Sequence, residues 1–396
     1  MHQEPASIQD LPGPWRGTNQ GGMREGNERL ILSVLRRTGG LAKADLARVT
    51  GLSAQTVARL IQSLETDGLI LRGEPQKGRI GQPSVPLSLN PRGAVFLGVK
   101  VGRRSVEVIA IDFLGEILGR RTRFHDYPDF DRVRGFILTA AADLIAGLPL
   151  PLQGRVGGLG IAMPFFLWNW ASQIGVAPEL MENWKTRDLE QEIAEVLDVP
   201  VFVQNDATAA CSAALVFGNS EVPANTLSIY LAFFVGAGLV INRALYSGSD
   251  GNAAGFAPMQ VQDREGKATR LIDIASLSVL EKRLLAAGCE TRDMWLQADR
   301  WDFPEDIVTD WIDYCGHGLA QAIHATQTIL ALDAVLIEGW LPRDRLDQVS
   351  ARVVHHLAQL DLAGVRLPHI AAGQVGKDAR ALGAASLPLS QRYLTA

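Results

Sequence analysis

Ser53, Gln55, Thr56 and Arg59 sit close together in SAQTVARL, and their residue types suit the reading of DNA. Gln55 carries a donor and an acceptor on one amide, which matches adenine in the major groove, and the Arg59 fork matches guanine or a phosphate. Between them and Gly68, Val57, Leu60, Ile61 and Leu64 fall at spacings of three, one and three, one face of a 3.6-residue period. Ser53 suits the helix N-cap, where its hydroxyl accepts from the first free backbone N–H groups, and Gly68 stands where a left-handed stop residue belongs. Upstream, KADLARV reads as a shorter helix that opens on Lys43 and ends in a tight Thr50-Gly51-Leu52 turn. This is the pattern of a helix-turn-helix, whose second helix enters the major groove. A plain helical hairpin with a solvated polar face shares the periodicity, but turn, cap, stop and the strand that follows agree on the first reading.

Two further elements complete a module over residues 23–90. NERLILSVLRRTGG supplies a first amphipathic helix with Leu30, Ile31, Val34 and Leu35 inward. LILRGEPQKGRIGQPSVPLSLN reads as two strands around a loop, either a DNA-contacting wing or an ordinary solvated hairpin loop. As a wing it would bring Lys77, Arg79 and Gln82 to the backbone or the minor groove, helped by the flexible Gly78 and Gly81. The candidate DNA contacts are therefore Lys43, Ser53, Gln55, Thr56 and Arg59 with Lys77, Arg79 and Gln82. Charge agrees with this: residues 1–90 hold 11 Lys and Arg against 8 Asp and Glu, whereas the other 306 hold 27 against 35. An excess this modest binds DNA weakly as one copy, so a homodimer on a palindromic operator is expected.

The remaining length, 396 residues in all, suggests two further lobes. Residues 1–22, with Pro5, Pro12, Pro14 and Gly21-Gly22, lack the apolar core of a signal peptide and read as a flexible tail. Cys211, Cys289 and Cys315 show no CxxC spacing, which argues against a disulfide framework or a thiolate zinc site and fits a reducing cytoplasm. Residues 222–242 are uncharged and long enough for a bilayer, which takes about 20 apolar residues. Gly236, Gly238 and the β-branched neighbours instead favour two buried strands around a glycine turn. Along residues 91–396 three antiparallel strands over 95–124 precede helices and strands in alternation, and a similar order returns from 227, with helices dominating 268–332 and VRLPHI as a last strand. The fold class is α/β, laid out twice.

The order and spacing of REGNERLILSVLRRTGG, GQPSVPLSLN, LGVKVG, GLGIAMP, VFVQNDATAA, VGAGLVIN, GSDGNAAG and ALGAA resemble the ROK family (repressors, open reading frames and sugar kinases) over about residues 24 to 387. Within it the chain looks like the transcription-factor branch. The resemblance implies a winged helix-turn-helix ahead of a two-lobed, actin-like (RNase H-like) sugar-kinase body that senses a small ligand and dimerises. It also implies regulation, as a repressor, of carbohydrate uptake or catabolism.

Departures from the family pattern bear on chemistry. The first phosphate loop of the kinases, of D-x-G-G-T type, aligns with Lys100-Val101-Gly102-Arg103-Arg104-Ser105, so its acid is lysine and its second glycine arginine. The second, G-T-G-x-G-x-G, aligns with Ala232-Phe233-Phe234-Val235-Gly236-Ala237-Gly238, where phenylalanine obstructs the backbone approach that phosphates need. ATP-dependent transfer is not expected. The family's G-E-x-G-H falls on Ala254-Gly255-Phe256-Ala257-Pro258, its cysteine-rich zinc loop on VQDREGKATRLID, and a further Glu on Ile272, so neither metal nor cofactor is expected.

Asn205-Asp206 survives. In the kinases this pair positions the sugar and the Asp takes the hydroxyl proton; here the two could hold a polyol, or cap the helix that starts at Ala207. Trp184 matches a family Trp near the sugar cleft, although such an aromatic is also ordinary core. Arg103 and Arg104 could meet an anionic ligand such as a phosphorylated sugar, or be solvated in a hairpin turn. Cys315, His317 and His355-His356 read as structural. Two rival classes remain, an active sugar kinase and a ligand-blind DNA-binding dimer that docks a partner protein.

Overall fold

A computed structural model describes residues 20–75, 85–171, 175–218 and 222–395. They form two units, residues up to 89 together with 393–395, and residues 90–392.

In the first unit the elements are α1 (Gln20–Thr38), β1 (Leu41–Ala42), α2 (Lys43–Thr50), α3 (Ala54–Thr66), β2 (Ile70–Arg72) and β3 (Pro86–Leu89). Val57, Leu60, Ile61 and Leu64 are all buried, as their spacing requires; Leu46 of α2 and Ile31, Leu32 and Leu35 of α1 are buried too, and α3 packs on both helices. The expected inward face of α1 is corrected in phase: Leu32 is buried, whereas Leu30 and Val34 are half-buried. The reason is that α1 packs on β3 as well as on α2 and α3, which widens its buried stripe. β2 and β3 pair antiparallel, with Ile70 opposite Leu89. The two-residue β1 adds a third strand to β3 that the sequence did not announce. Helix α1 starts inside the segment read as a tail, and residues 1–19 lie outside the described residues.

The second unit opens with β4 (Val95–Val101), β5 (Ser105–Ile111), β6 (Ile117–Phe124), α4 (Phe130–Ala146), α5 (Leu150–Gln153) and β7 (Val156–Met163). Then come α6 (Asn183–Thr186), α7 (Leu189–Ala194), β8 (Val201–Asn205) and α8 (Asp206–Phe217). A second set follows, β9 (Thr226–Leu231), β10 (Gly236–Ile241), β11 (Ala244–Tyr246), β12 (Gln260–Gln262), β13 (Ala268–Arg270), α9 (Ile272–Ala275), α10 (Leu277–Ala286), α11 (Arg292–Leu296) and α12 (Glu305–Leu330). The chain closes with β14 (Ala334–Gly339), α13 (Arg343–Leu357), β15 (His369–Ala372) and α14 (Ala379–Tyr393).

Two five-stranded sheets result, ordered β6-β5-β4-β7-β8 and β11-β10-β9-β14-β15. In each, three antiparallel strands are joined by two parallel ones beside the first, so one topology occurs twice. β4 and β9 are buried at every position, as central strands covered on both faces must be. The segment weighed as a membrane span is the β9–β10 pair, and among the described residues no helix is long and apolar enough to cross a bilayer. The last strand lies later than VRLPHI suggests. Pro368 has no N–H to give the ladder, and pairing with β14 starts at His369.

Each sheet has its own core, the first closed by α4 and the second by α12 and α13. Helix α14 returns to the first sheet. A Cβ on Gly160 would lie 1.8 Å from the Ala384 carbonyl oxygen, so only glycine lets the backbones approach this closely.

Candidate functional site

Helix α3 is fixed at both ends. The Ser53 hydroxyl accepts from Thr56 N–H at 3.2 Å and lies 2.9 Å from the Thr56 hydroxyl, so both are engaged in the cap. Gly51 in the turn (φ +70°) and Gly68 after the helix (φ +72°) are left-handed, and Leu69 N–H closes the end on Leu64 at 2.8 Å. Arg72 pairs with both oxygens of Glu65, tying β2 to α3 and holding the Glu65 carboxyl below its usual range. Gln55 and Arg59 stand one turn apart on the exposed face. Among the described residues neither makes a hydrogen bond or ion pair. Lys43 is exposed at the start of α2, while Lys77, Arg79 and Gln82 lie outside the described residues.

The second unit holds a cleft of about 110 Å³ between its two sheets, where β8 meets α8. Asn205 and Asp206 stand on one wall, Phe165, Phe234 and Phe256 supply apolar faces, and Arg103, Tyr230 and Asn252 add polar groups. Asn205 is the cap of α8, its Oδ1 accepting from Ala207 N–H at 3.0 Å and Thr208 N–H at 3.4 Å. Its amide nitrogen donates to Asn252 Oδ1 at 3.2 Å, so capping and the cleft wall are one arrangement. Asp206 does not stand alone: Arg380 Nη1 lies 3.3 Å from its Oδ2, and that guanidinium also covers the Tyr230 ring at 5.1 Å. Trp184 does not join this group. It is buried in the core of the first sheet, edge-on to Phe130, and its indole N–H donates to the Pro128 carbonyl at 2.6 Å.

The two loops that align with phosphate loops are filled by side chains. The Arg103 guanidinium lies 4.1 Å from the Phe234 ring centre, Phe234 is edge-on to Phe233 at 4.9 Å, and Phe233 packs on Trp295 at 5.5 Å. Arg104 reaches Glu281 at 3.8 Å, a carboxylate that also takes the Trp295 indole N–H at 2.6 Å. Loop backbone that could approach a phosphate is used internally, since Val235 N–H donates to Ser276 Oγ at 3.1 Å. Lys100 is buried with its ammonium 5.1 Å from the Trp340 ring, and burial, reinforced by Arg380, pushes its pKa down to about 8. Burial likewise lowers Arg103 to about 10, against the attraction of Asp206.

Where the zinc loop of the family would lie, β12 and β13 form a hairpin. It is held by Arg264 to Asp310 at 2.7 Å and Asp313 at 2.9 Å, with Gln262 N–H on Gln321 at 2.8 Å. Ile272 is buried at the start of α9. Among the described residues no group of three or more His, Cys, Asp or Glu could hold a metal. Burial pushes the Cys211 thiol up to about 12 and raises Cys315, which keeps both as inert thiols. His317 Nε2 lies 3.1 Å from the Gln262 carbonyl.

Sequence reasoning missed Asn252 and Arg380. Asn252 lies inside GSDGNAAG, one of the strings that carry the resemblance, so a signal existed there. Arg380 is 174 residues from Asp206, and no spacing rule joins them.

Fold and sites define a winged-helix DNA-binding module joined to a duplicated, actin-like sugar-kinase-type body. The chain belongs to the ROK family, whose pattern matches residues 96–391, and to its regulator branch, with a winged helix-turn-helix DNA-binding pattern over residues 24–70. It is 26% identical to the uncharacterized protein y4fQ of Sinorhizobium fredii over 371 residues, 93% of this chain and 92% of the relative. It is 25% identical to the xylose repressor of Bacillus subtilis over 235 residues, 59% of this chain and 60% of the relative. In structure it resembles a ROK family transcriptional regulator, a homologue of the Escherichia coli MLC protein, with a TM-score of 0.68 at 20% identity, covering 94% of this chain and 97% of that one.

Proposed function

We propose that this protein is a transcriptional repressor of carbohydrate uptake or catabolism genes, reading DNA through Gln55 and Arg59 of α3 and sensing a sugar or sugar derivative at Asn205, Asp206 and Asn252. The observation that carries the reading is the pair of exposed side chains on a helix capped at one end and stopped at the other, in the same chain as a polar cleft. A xylose repressor among its relatives supports the carbohydrate assignment. Acting in the cytoplasm as a homodimer, it would bind a palindromic operator, with Lys43, Lys77, Arg79 and Gln82 on the backbone or in the minor groove. Induction requires that the ligand bind the DNA-competent and DNA-incompetent states with different affinity.

No phosphoryl transfer belongs to this reading. Asp206 faces Arg380 rather than an approaching hydroxyl alone, and guanidinium and phenyl groups occupy both loop positions. The test is genome-wide mapping of DNA binding with the purified chain and with Gln55→Ala/Arg59→Ala. Peaks over a palindrome beside transport or sugar-metabolism genes, lost in the double variant, are expected. The loss for Arg59 alone is about 1–3 kcal/mol if it reads a base. Peaks that persist in the double variant would refute the assignment of these two residues.

A further inference from the structure

The cleft has few hydrogen-bonding side chains to spare. Asn205 is committed, its Oδ1 accepting from the Ala207 and Thr208 N–H groups and its amide donating to Asn252 Oδ1 at 3.2 Å. The Tyr230 hydroxyl donates to the Lys377 carbonyl at 3.3 Å, and Arg103 is engaged as well, its guanidinium 4.1 Å from the Phe234 ring centre. Arg380 meets Oδ2 of Asp206 at 3.3 Å, which leaves Oδ1 as an acceptor, and the amide nitrogen of Asn252 remains as a donor.

Much of the remaining wall is hydrocarbon. Phe165 is half-buried and, among the described residues, stacks on no other ring, while Ala254, Phe256, Ala257 and Pro258 follow in one stretch. Pro258 has no N–H, and the carbonyls of Phe256 and Ala257 are taken by the N–H groups of Met259 at 3.1 Å and Ile272 at 2.9 Å. Ala254 holds φ +58°, a left-handed conformation that glycine adopts freely, so this wall keeps a methyl group despite the strain. A free hexose or pentose carries a hydroxyl on almost every carbon, and each one buried here without a partner loses the bonds it made to water.

We propose that the effector is an amphipathic sugar derivative, a glycoside with a small aryl aglycone, whose hydroxyls meet Asp206 and Asn252 and whose aryl ring lies against Phe165 and residues 254–258. This rests on the cleft being the effector site. The polar pair is shared with any sugar, so the apolar wall is the specificity element. It favours the aglycone through area removed from water and disfavours a hydroxyl at the same place. An aryl ring edge-on or offset to Phe165 adds to that gain.

Calorimetric and thermal-shift titrations of the full chain would compare glucose, xylose and galactose with their methyl and phenyl glycosides in both anomers. The methyl glycosides separate loss of the anomeric hydroxyl from gain of an aryl group, and phenol alone probes for an apolar spot that needs no sugar. At least one phenyl glycoside is expected to bind at least about tenfold more tightly than its methyl counterpart and its parent sugar, to lose that advantage in Phe165→Ser, and to weaken in Asp206→Asn. Circular dichroism identifies a folding defect in either variant. Saturation-transfer NMR on the unaltered chain, expected to mark the phenyl protons as strongly as those of the sugar, stands independently of both. A free sugar that binds as tightly as its phenyl glycoside would overturn the aglycone yet leave the cleft as a sensor. A preference that persists in folded Phe165→Ser, or phenol that binds as tightly as the glycoside, would overturn the proposed arrangement. Binding of no compound would overturn both the aglycone and the cleft as a sensor.

Discussion

Asp206 and Arg380 decide what the cleft can be. Their side chains are 17% and 11% exposed, so neither charge is screened as a surface pair would be. Asp206→Ala should lower stability by about 3–5 kcal/mol because it leaves Arg380 buried without its carboxylate, and Asp206→Ala/Arg380→Leu should recover part of the loss. Urea midpoints of the two single variants and the double variant measure this coupling; a single variant as stable as the parent would mean that the pair contributes nothing to folding. For ligand studies Asp206→Asn is therefore the cleaner change. The contrast with α3 shows what a sequence can disclose at this scale. Ser53 as the cap and Gln55 and Arg59 as exposed positions were legible because cap, stop and exposed face are set within about four turns of one helix. Asn205 was legible as a cap for the same reason. Arg380 was not, because its partner is brought to it by the fold alone. Trp184 illustrates the converse: its residue type suited a sugar face, yet packing against Phe130 and the Pro128 carbonyl assigns it to the core.

Among the elements, the β12–β13 hairpin stands where a metal-bound loop is expected from the family, and ion pairs now hold it. Arg264 reaches Asp310 and Asp313 on α12, and Arg283 meets the other oxygen of Asp310 at 2.6 Å. These groups are 30–52% exposed, so each pair contributes only about 0–1 kcal/mol after screening. The hydrogen bond from Arg264 holds the Asp310 carboxyl below its ordinary 3.8. A carboxyl lowered by folding contributes its stability fully above 3.8 and loses it as pH falls through the lower folded value. Arg264→Ala should therefore speed amide exchange across residues 260–270 at pH 7, and matter progressively less as pH falls below 3.8. An effect that does not shrink as pH falls below 3.8 would count against the ion pairs. Elements of this kind escape sequence reading. VQDREGKATRLID has no strong apolar alternation, and its strands are three residues each. The long apolar strands β4 and β9 and the amphipathic α3 were legible, since burial of a whole strand or one helix face leaves a run or a period. β1, with two residues, leaves neither.

For the molecule as a whole, the formal charge is −5, yet among the described residues one of the charges that burial penalises strongly is a cation. Lys100 lies in the fully buried β4, and burial followed by repulsion from Arg380 lowers it from 10.5 to about 8, while Glu107 opposes the drop. A change of that size corresponds to roughly 3 kcal/mol of differential stabilisation between its charged and neutral forms. The sign follows from proton uptake. Between pH 8 and 10.5 the unfolded chain holds this proton more tightly than the folded chain does, so stability rises with pH across that window, and the full penalty is present below it. Lys100→Met should remove the penalty and flatten the slope, raising stability at pH 7 by up to about 3 kcal/mol with almost no gain near pH 11. Because residues 90–392 form a unit apart from the winged helix, only the unfolding transition of that unit should move. Calorimetry of the two chains at pH 7, 9 and 10.5 checks both points, and a variant destabilised equally at every pH would show that Lys100 acts through its packing on Trp340 rather than through its charge.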